Sequence, residues 1–143
     1  MTSELYQKNL LKLASMATNA GRLPSPDATF TLDNPLCGDR VTFDLTFLET
    51  KISDIAHEVK GCVLCQASAS MLASNATGES VKDIKSVREK VRKMLEDPDS
   101  VIEGWEEIQF FKPASEHKSR HNCVLLPFDA LIRAAEDGAA EIG

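Results

Sequence analysis

Apolar side chains at every second position, Val41, Phe43, Leu45 and Phe47, alternate with Thr42, Asp44 and Thr46. A period of two places the two sets on opposite faces of an extended strand, and no helix can bury that pattern on one side. This run demands a sheet with one face turned inward. Ala28, Phe30 and Leu32 alternate more briefly upstream. Ile52 to Val59 reads as a third strand, joined to the second by a tight connection near Leu48-Glu49-Thr50. Short links between neighbouring strands predict an antiparallel sheet.

Helical spacing occupies most of the rest. Leu5, Leu11, Leu13, Met16 and Ala17 predict a first helix over 3–20, with Ser3 placed to cap it and Gly21 to stop it. Leu23-Pro24-Ser25-Pro26 breaks the chain before the sheet. Cys62 to Ala76 is rich in Ala, Ser, Leu and Met, with Gly78 just beyond, and predicts a closely packed helix. Between Ser80 and Asp97, one or two turns precede Val87, Val91, Met94 and Leu95, and Pro98 ends the pattern. The stretch 99–115 has no assignable period. Cys123 to Glu136 predicts a last amphipathic helix, with Pro127 expected in its first turn. Strands first and helices later make an α+β fold: a small antiparallel sheet of about three strands, packed by helices.

A chain of 143 residues suits one domain, 1–143. With 22 acidic against 16 basic residues the net charge is −6, which argues against a nucleic-acid or anionic-membrane role, since phosphate binding needs a basic face. No run approaches the ~20 apolar residues of a membrane span. Met1-Thr2-Ser3-Glu4 does not open like a secretory signal, so a cytoplasmic, reducing location is expected. There the 4 cysteines are expected as thiols and not as disulfides.

Their positions matter more than their number. Cys37 lies in the turn Asn34-Pro35-Leu36-Cys37-Gly38-Asp39 before the strongest strand. Cys62 and Cys65 fall at the start of a helix after Gly61, and Cys123 at the expected start of the last helix. Helix starts favour the thiolate, the form that binds metal and attacks sulfur. Asp39 can add a carboxylate across the glycine turn. Cys37, Asp39, Cys62 and Cys123, with Cys65, His117 or His121 in reserve, supply enough donors for one tetrahedral site. The single Cys62-Val63-Leu64-Cys65 motif fits a redox dithiol, half a zinc site or coincidence, and its spacing favours metal binding over inert thiols and over a dithiol. His117 and His121, in a polar segment, are expected mainly to be solvated.

Three separated segments taken in order resemble the U-type iron–sulfur cluster assembly family, which includes IscU, SufU and the N-terminal domain of NifU. They are Asn34-Pro35-Leu36-Cys37-Gly38-Asp39, Gly61-Cys62 followed by Gln66-Ala67-Ser68-Ala69-Ser70-Met71, and Arg120-His121-Asn122-Cys123. The resemblance implies Cys37, Asp39, Cys62 and Cys123 as ligands of zinc or of a nascent [2Fe–2S] cluster. It also implies a cysteine desulfurase as sulfur donor, apoproteins as recipients, and one thiol, here expected to be Cys123, as persulfide acceptor. Softer thiolates combined with one hard carboxylate would hold a cluster loosely enough to release it.

Two departures stand out. Asn122 replaces the histidine that precedes the last cysteine in the scaffold branch, and Pro113-Ala114-Ser115-Glu116 bears no chaperone-recruiting motif. Together with Arg120, this resembles the SufU branch, which implies tight zinc binding and sulfur transfer. Cys65 stands where the family usually has another residue, and is expected to be a small core residue before a spare ligand or resolving thiol. An alternative from another class is a structural zinc adaptor, with Trp105, Phe110 and Phe111 as a partner surface; core packing is the expectation for those aromatics.

Overall fold

The computed structural model describes residues 3–36, 38–100 and 103–142. Helix α1 spans Ser3–Met16 and is followed by strands β1 (Ala28–Asn34), β2 (Asp39–Leu48) and β3 (Lys51–Lys60). Helices α2 (Val63–Asn75) and α3 (Val81–Glu96) come next, then a 3-10 segment over Glu106–Glu116 and helix α4 (Lys118–Ile142). The strands form one antiparallel sheet in the order β1-β2-β3. The expected α+β architecture is therefore present.

Register explains the alternation. Phe30 pairs with Phe43 and Leu32 with Val41, while Phe43 pairs with His57 and Leu45 with Ile55. These residues share the face that α2 and α4 cover. The opposite face carries Thr31, Thr42, Arg40 and Asp44. Asp44 is buried there, and accepts from Arg22 at 2.6 and 3.0 Å, from the Thr29 hydroxyl at 2.7 Å and from the Leu23 amide at 3.1 Å. The β2–β3 turn places Glu49 at φ 60°, after an irregularity between Thr46 and Phe47.

Helix α2 is buried over most of its surface, and its composition makes that possible. Ala67, Ser68, Ala69 and Ser70 are small enough to let α1 and α4 approach closely. The Ser68 hydroxyl donates to the Val124 carbonyl of α4 at 2.7 Å, satisfying a buried polar group. In α3, Ser80 and Asp83 form a reciprocal capping box, so the helix runs unbroken from Val81 where the sequence predicts separate turns.

Two expectations need correction. Helix α1 ends at Met16, because Ala17 and Asn19 take positive φ and the chain turns to pair along β3. Gly21 donates to the His57 carbonyl at 2.8 Å, and the His57 amide donates to Asn19 at 3.2 Å, which covers the edge strand. Helix α4 begins at Lys118, before Cys123, and Pro127 lies inside it, not in its first turn. Polar Lys118 to Asn122 is the exposed opening of this helix, a pattern that spacing alone does not separate from a loop. Finally, the unassigned stretch contains the 3-10 segment. Phe111 is fully buried there, Trp105 stacks on Phe128 at 6.4 Å, and Phe110 packs against the core. Core packing, the expectation for these aromatics, is what the structure shows, complete for Phe111 and partial for Trp105 and Phe110.

Candidate metal centre

The centre is built where the open end of the sheet meets two helices. Asp39 is the first residue of β2, and because Arg40 pairs with Lys60, the chain leaving β3 brings Gly61 and Cys62 alongside it. A Cβ on Gly61 would lie 2.8 Å from Asp39 Oδ1 and 2.9 Å from its Cγ. Only a glycine lets the carboxylate occupy this place without displacement. Gln66 holds the same peptide from the helix side, donating from Nε2 to the Gly61 carbonyl at 3.0 Å.

Cys62 is the N-cap of α2, in extended conformation, and makes no side-chain capping bond. Its amide donates to Asp39 Oδ1 at 3.3 Å, and its thiol lies 3.7 Å from Oδ2. Cys123 enters from the second turn of α4, held against α2 by the Ser68–Val124 bond next door. The ligand atoms of Asp39, Cys62 and Cys123 lie within 4.8 Å of one another. Ligands of a tetrahedral zinc with thiolate and carboxylate donors are separated by about 3.3–3.8 Å, so small side-chain adjustments close this group around one ion. An oxygen and two sulfurs converging in a largely buried place is a donor set suited to zinc or to iron with sulfide.

Electrostatics within the group is one-sided. Asp39 is buried, Cys62 is half-buried, and Cys123 is only 1% exposed. Burial first, then the neighbouring Cys62 and Asp39, push the Cys123 thiol far above the ordinary thiol range. The expected helix-start activation does not operate at Cys123, because that residue is inside the helix. Arg120 is exposed at the opening of α4. A cation held by Asp39, Cys62 and Cys123 would supply positive charge here and favour the thiolate form of Cys123.

Of the residues marked from sequence, Asp39, Cys62 and Cys123 are brought together. Cys37 lies outside the described residues; next to it, Leu36 donates to Asn34 Oδ1 at 3.1 Å and Gly38 to the Asn34 carbonyl at 2.8 Å. Cys65 is fully buried in the first turn of α2, and is not one of the converging group. His121 bonds the Ser115 carbonyl through Nε2 at 3.1 Å, and His117 is exposed. Neither histidine is in the group. The tie from Gln66 and the steric need for Gly61 were not anticipated. Both depend on a register that the sequence does not print.

The pattern of the NifU-like N terminal domain family matches residues 5–110. The chain is 26% identical over 130 residues to the iron-sulfur cluster assembly scaffold protein IscU of Thermotoga maritima, covering 91% of this chain and 92% of that protein. It is 27% identical over 139 residues to the zinc-dependent sulfurtransferase SufU of Bacillus subtilis, covering 94% and 92%. The crystal structure of the N-terminal part of a nitrogen-fixing NifU-like protein from Brucella abortus superposes with a TM-score of 0.88 at 33% identity, covering 96% of each chain. Among the described residues, no helix is long and apolar enough to cross a membrane.

Proposed function

Because the chain belongs to the family of NifU-like N-terminal domains, we propose that it is an iron–sulfur cluster assembly protein that holds a nascent [2Fe–2S] cluster as cargo. The observation that carries this reading is the convergence of Asp39, Cys62 and Cys123 within 4.8 Å at the sheet end. In this reading Cys37 joins them as the fourth ligand, and the whole chain acts as one unit.

The residues divide the work. Thiolates bind iron and sulfide strongly, and Asp39 contributes a harder, more weakly held oxygen. The Cys62 amide fixes that carboxylate, and Gly61 leaves room for it. Half-buried Cys62 faces the incoming sulfur, and Cys123 lies within reach behind it as the shielded persulfide acceptor. A cysteine desulfurase is the proposed donor and apoproteins the proposed recipients, in a reducing cytoplasm that keeps thiols available for sulfur and metal. The protein then serves as a scaffold.

A second reading is a zinc-dependent sulfurtransferase. It is favoured by Asn122, exposed on α4, at the position next to Cys123 where the scaffold branch has a histidine. Zinc would be held by the same donors and keep the thiols ionised until sulfur arrives. Anaerobic purification followed by metal and acid-labile sulfide analysis separates the readings. Iron with sulfide supports the scaffold. Zinc, with stimulation of a desulfurase, supports the transferase. Zinc without that stimulation leaves the structural adaptor, and protein that takes up no metal overturns all of them.

A further inference from the structure

Cys65 is the cysteine that neither reading uses. It is the third residue of α2, fully buried, and one turn from Cys62. Two cysteines three apart within a regular helix have Cβ atoms about 5–6 Å apart, wider than the ~3.8 Å that a disulfide needs. The start of a helix is different. An N-cap side chain projects toward the amide of the third helical residue, which is why serine and aspartate cap there. Cys62 is that N-cap, with φ −72° and ψ 171°, Cys65 is that third residue, and the Cys62 side chain makes no capping bond. A rotamer change at Cys62 carries its sulfur from Asp39 toward Cys65 without unwinding the helix.

We propose that Cys65 is a resolving thiol that reduces sulfane sulfur delivered to Cys62 and releases it as sulfide; this rests on the sulfur-accepting part of the function proposed above. The step begins with a Cys62 persulfide, which exchanges its terminal sulfur with the Cys123 thiolate within 4.8 Å of it. Cys65 Sγ attacks Cys62 Sγ, a bond forms between these two atoms, and the bond from Cys62 Sγ to the terminal sulfur breaks. The bonding pair leaves with the terminal sulfur, which takes up the proton from Cys65 and departs as hydrogen sulfide. The dithiol loses two electrons and the sulfane sulfur gains them. No external oxidant or reductant enters, and a thiol reductant resets the Cys62–Cys65 disulfide afterwards.

The arrangement also sets the order of events. Cys62 is half-buried and meets the incoming sulfur, whereas Cys65 is fully buried one turn further into α2. Sulfide, and not sulfane sulfur, is the oxidation level that a [2Fe–2S] core contains. The step therefore makes the inorganic component of the cargo at the place where the cargo is held. While the disulfide exists, Cys62 is withdrawn from Asp39 and Cys123, which couples resetting to metal capture.

Metal-free full-length protein is incubated with limiting inorganic polysulfide and freed of excess. Sulfide release, retained sulfane sulfur and disulfide pairing are then measured, the last by alkylation and peptide mass spectrometry. The wild type is expected to release sulfide in step with a Cys62–Cys65 disulfide. Cys65→Ser and Cys65→Ala are expected to keep their sulfane sulfur and to lose sulfide release, and a thermal melt shows that each is folded. Equal release from a folded Cys65 variant, or a disulfide from Cys62 to another cysteine in the wild type, overturns the proposal. Sulfur retained by the wild type without release also overturns it, while leaving sulfur acceptance standing. Failure of any protein to capture sulfur overturns both.

Discussion

The Cys62 amide donates to Asp39 Oδ1 at 3.3 Å while the Cys62 thiol lies 3.7 Å from Oδ2, so one carboxylate holds both ends of a neighbouring ligand residue. This relationship links β2 to the start of α2, and the site geometry depends on it. Asp39 is at once a candidate ligand and the clamp for another. Removing it would take away a donor and loosen the neighbouring one at once.

An alanine at position 61 places a Cβ 2.8 Å from Asp39 Oδ1 and forces the carboxylate aside. Gly61→Ala is expected to cost about 1–3 kcal/mol of stability from overpacking. It should weaken zinc retention in a chelator competition at a temperature where the fold is intact. Unchanged zinc affinity in folded Gly61→Ala protein would show that Asp39 is not placed for the metal.

The Asp39→Ala variant removes the hard donor from a mixed set. Once a cluster is reconstituted on it, the visible absorbance is expected to decay more slowly than in the parent, because the weakest-held ligand is gone. Faster decay would mean that the carboxylate secures the cluster and does not aid its release.

His57 gives the fold a pH dependence. It is buried opposite Phe43, with Nε2 bonded to the Thr18 carbonyl at 2.8 Å, and burial lowers its pKa below the ordinary histidine value despite that bond. The unfolded chain therefore takes up this proton first as pH falls. Its effect is absent well above the unfolded value of about 6.5, and stability is lost as pH drops through that value toward the depressed folded one. Urea midpoints of the metal-free protein between pH 8 and pH 5 should show this loss, and His57→Leu should flatten it. A parallel slope in a folded variant would assign the effect elsewhere.

Burial alone would raise the pKa of Asp44, but the bonds from Arg22, Thr29 and the Leu23 amide outweigh it and hold the carboxyl below its usual value. This contribution is full above the unfolded carboxylate range and disappears as pH falls through the depressed folded value. Asp44→Ala leaves the Thr29 hydroxyl and the Leu23 amide without their acceptor. A loss of about 2–3 kcal/mol is expected at neutral pH, discounted because Arg22 is half exposed. Chemical denaturation of the two proteins measures it.

Ser80→Ala provides the contrast. It removes one half of the α3 capping box, far along the chain from the metal centre, and should cost about 1 kcal/mol. Zinc affinity should be unchanged. A matching fall in affinity would show that general loss of stability, and not local geometry, governs metal binding.

What could be read from the sequence follows from which interactions are local. The alternation through Val41 and Phe47 reports a half-buried strand directly, and Ser80 with Asp83 is a local cap. The turn at 34–39 and the Gly61-Cys62 junction are local motifs that point to Asp39 and Cys62. Other features depend on distant partners. Thr18 to Gly21 continues a helical composition, yet bonds to the backbone of His57 decide its path. Lys118 to Asn122 is polar because it is exposed, and the helix it opens is fixed by burial of Cys123 to Leu126 further on. That displacement explains why Cys123 was expected at a helix end and stands inside one. The 3-10 segment repeats near every third residue, a spacing that neither the helix nor the strand pattern matches.

X-ray absorption at the zinc edge of the reconstituted protein tests the central claim most directly. The account predicts sulfur and oxygen neighbours together, with sulfur amplitude falling in Cys62→Ser and Cys123→Ser and the oxygen neighbour changing in Asp39→Ala. A zinc shell of nitrogen and oxygen alone, or one unchanged by these substitutions, would contradict it.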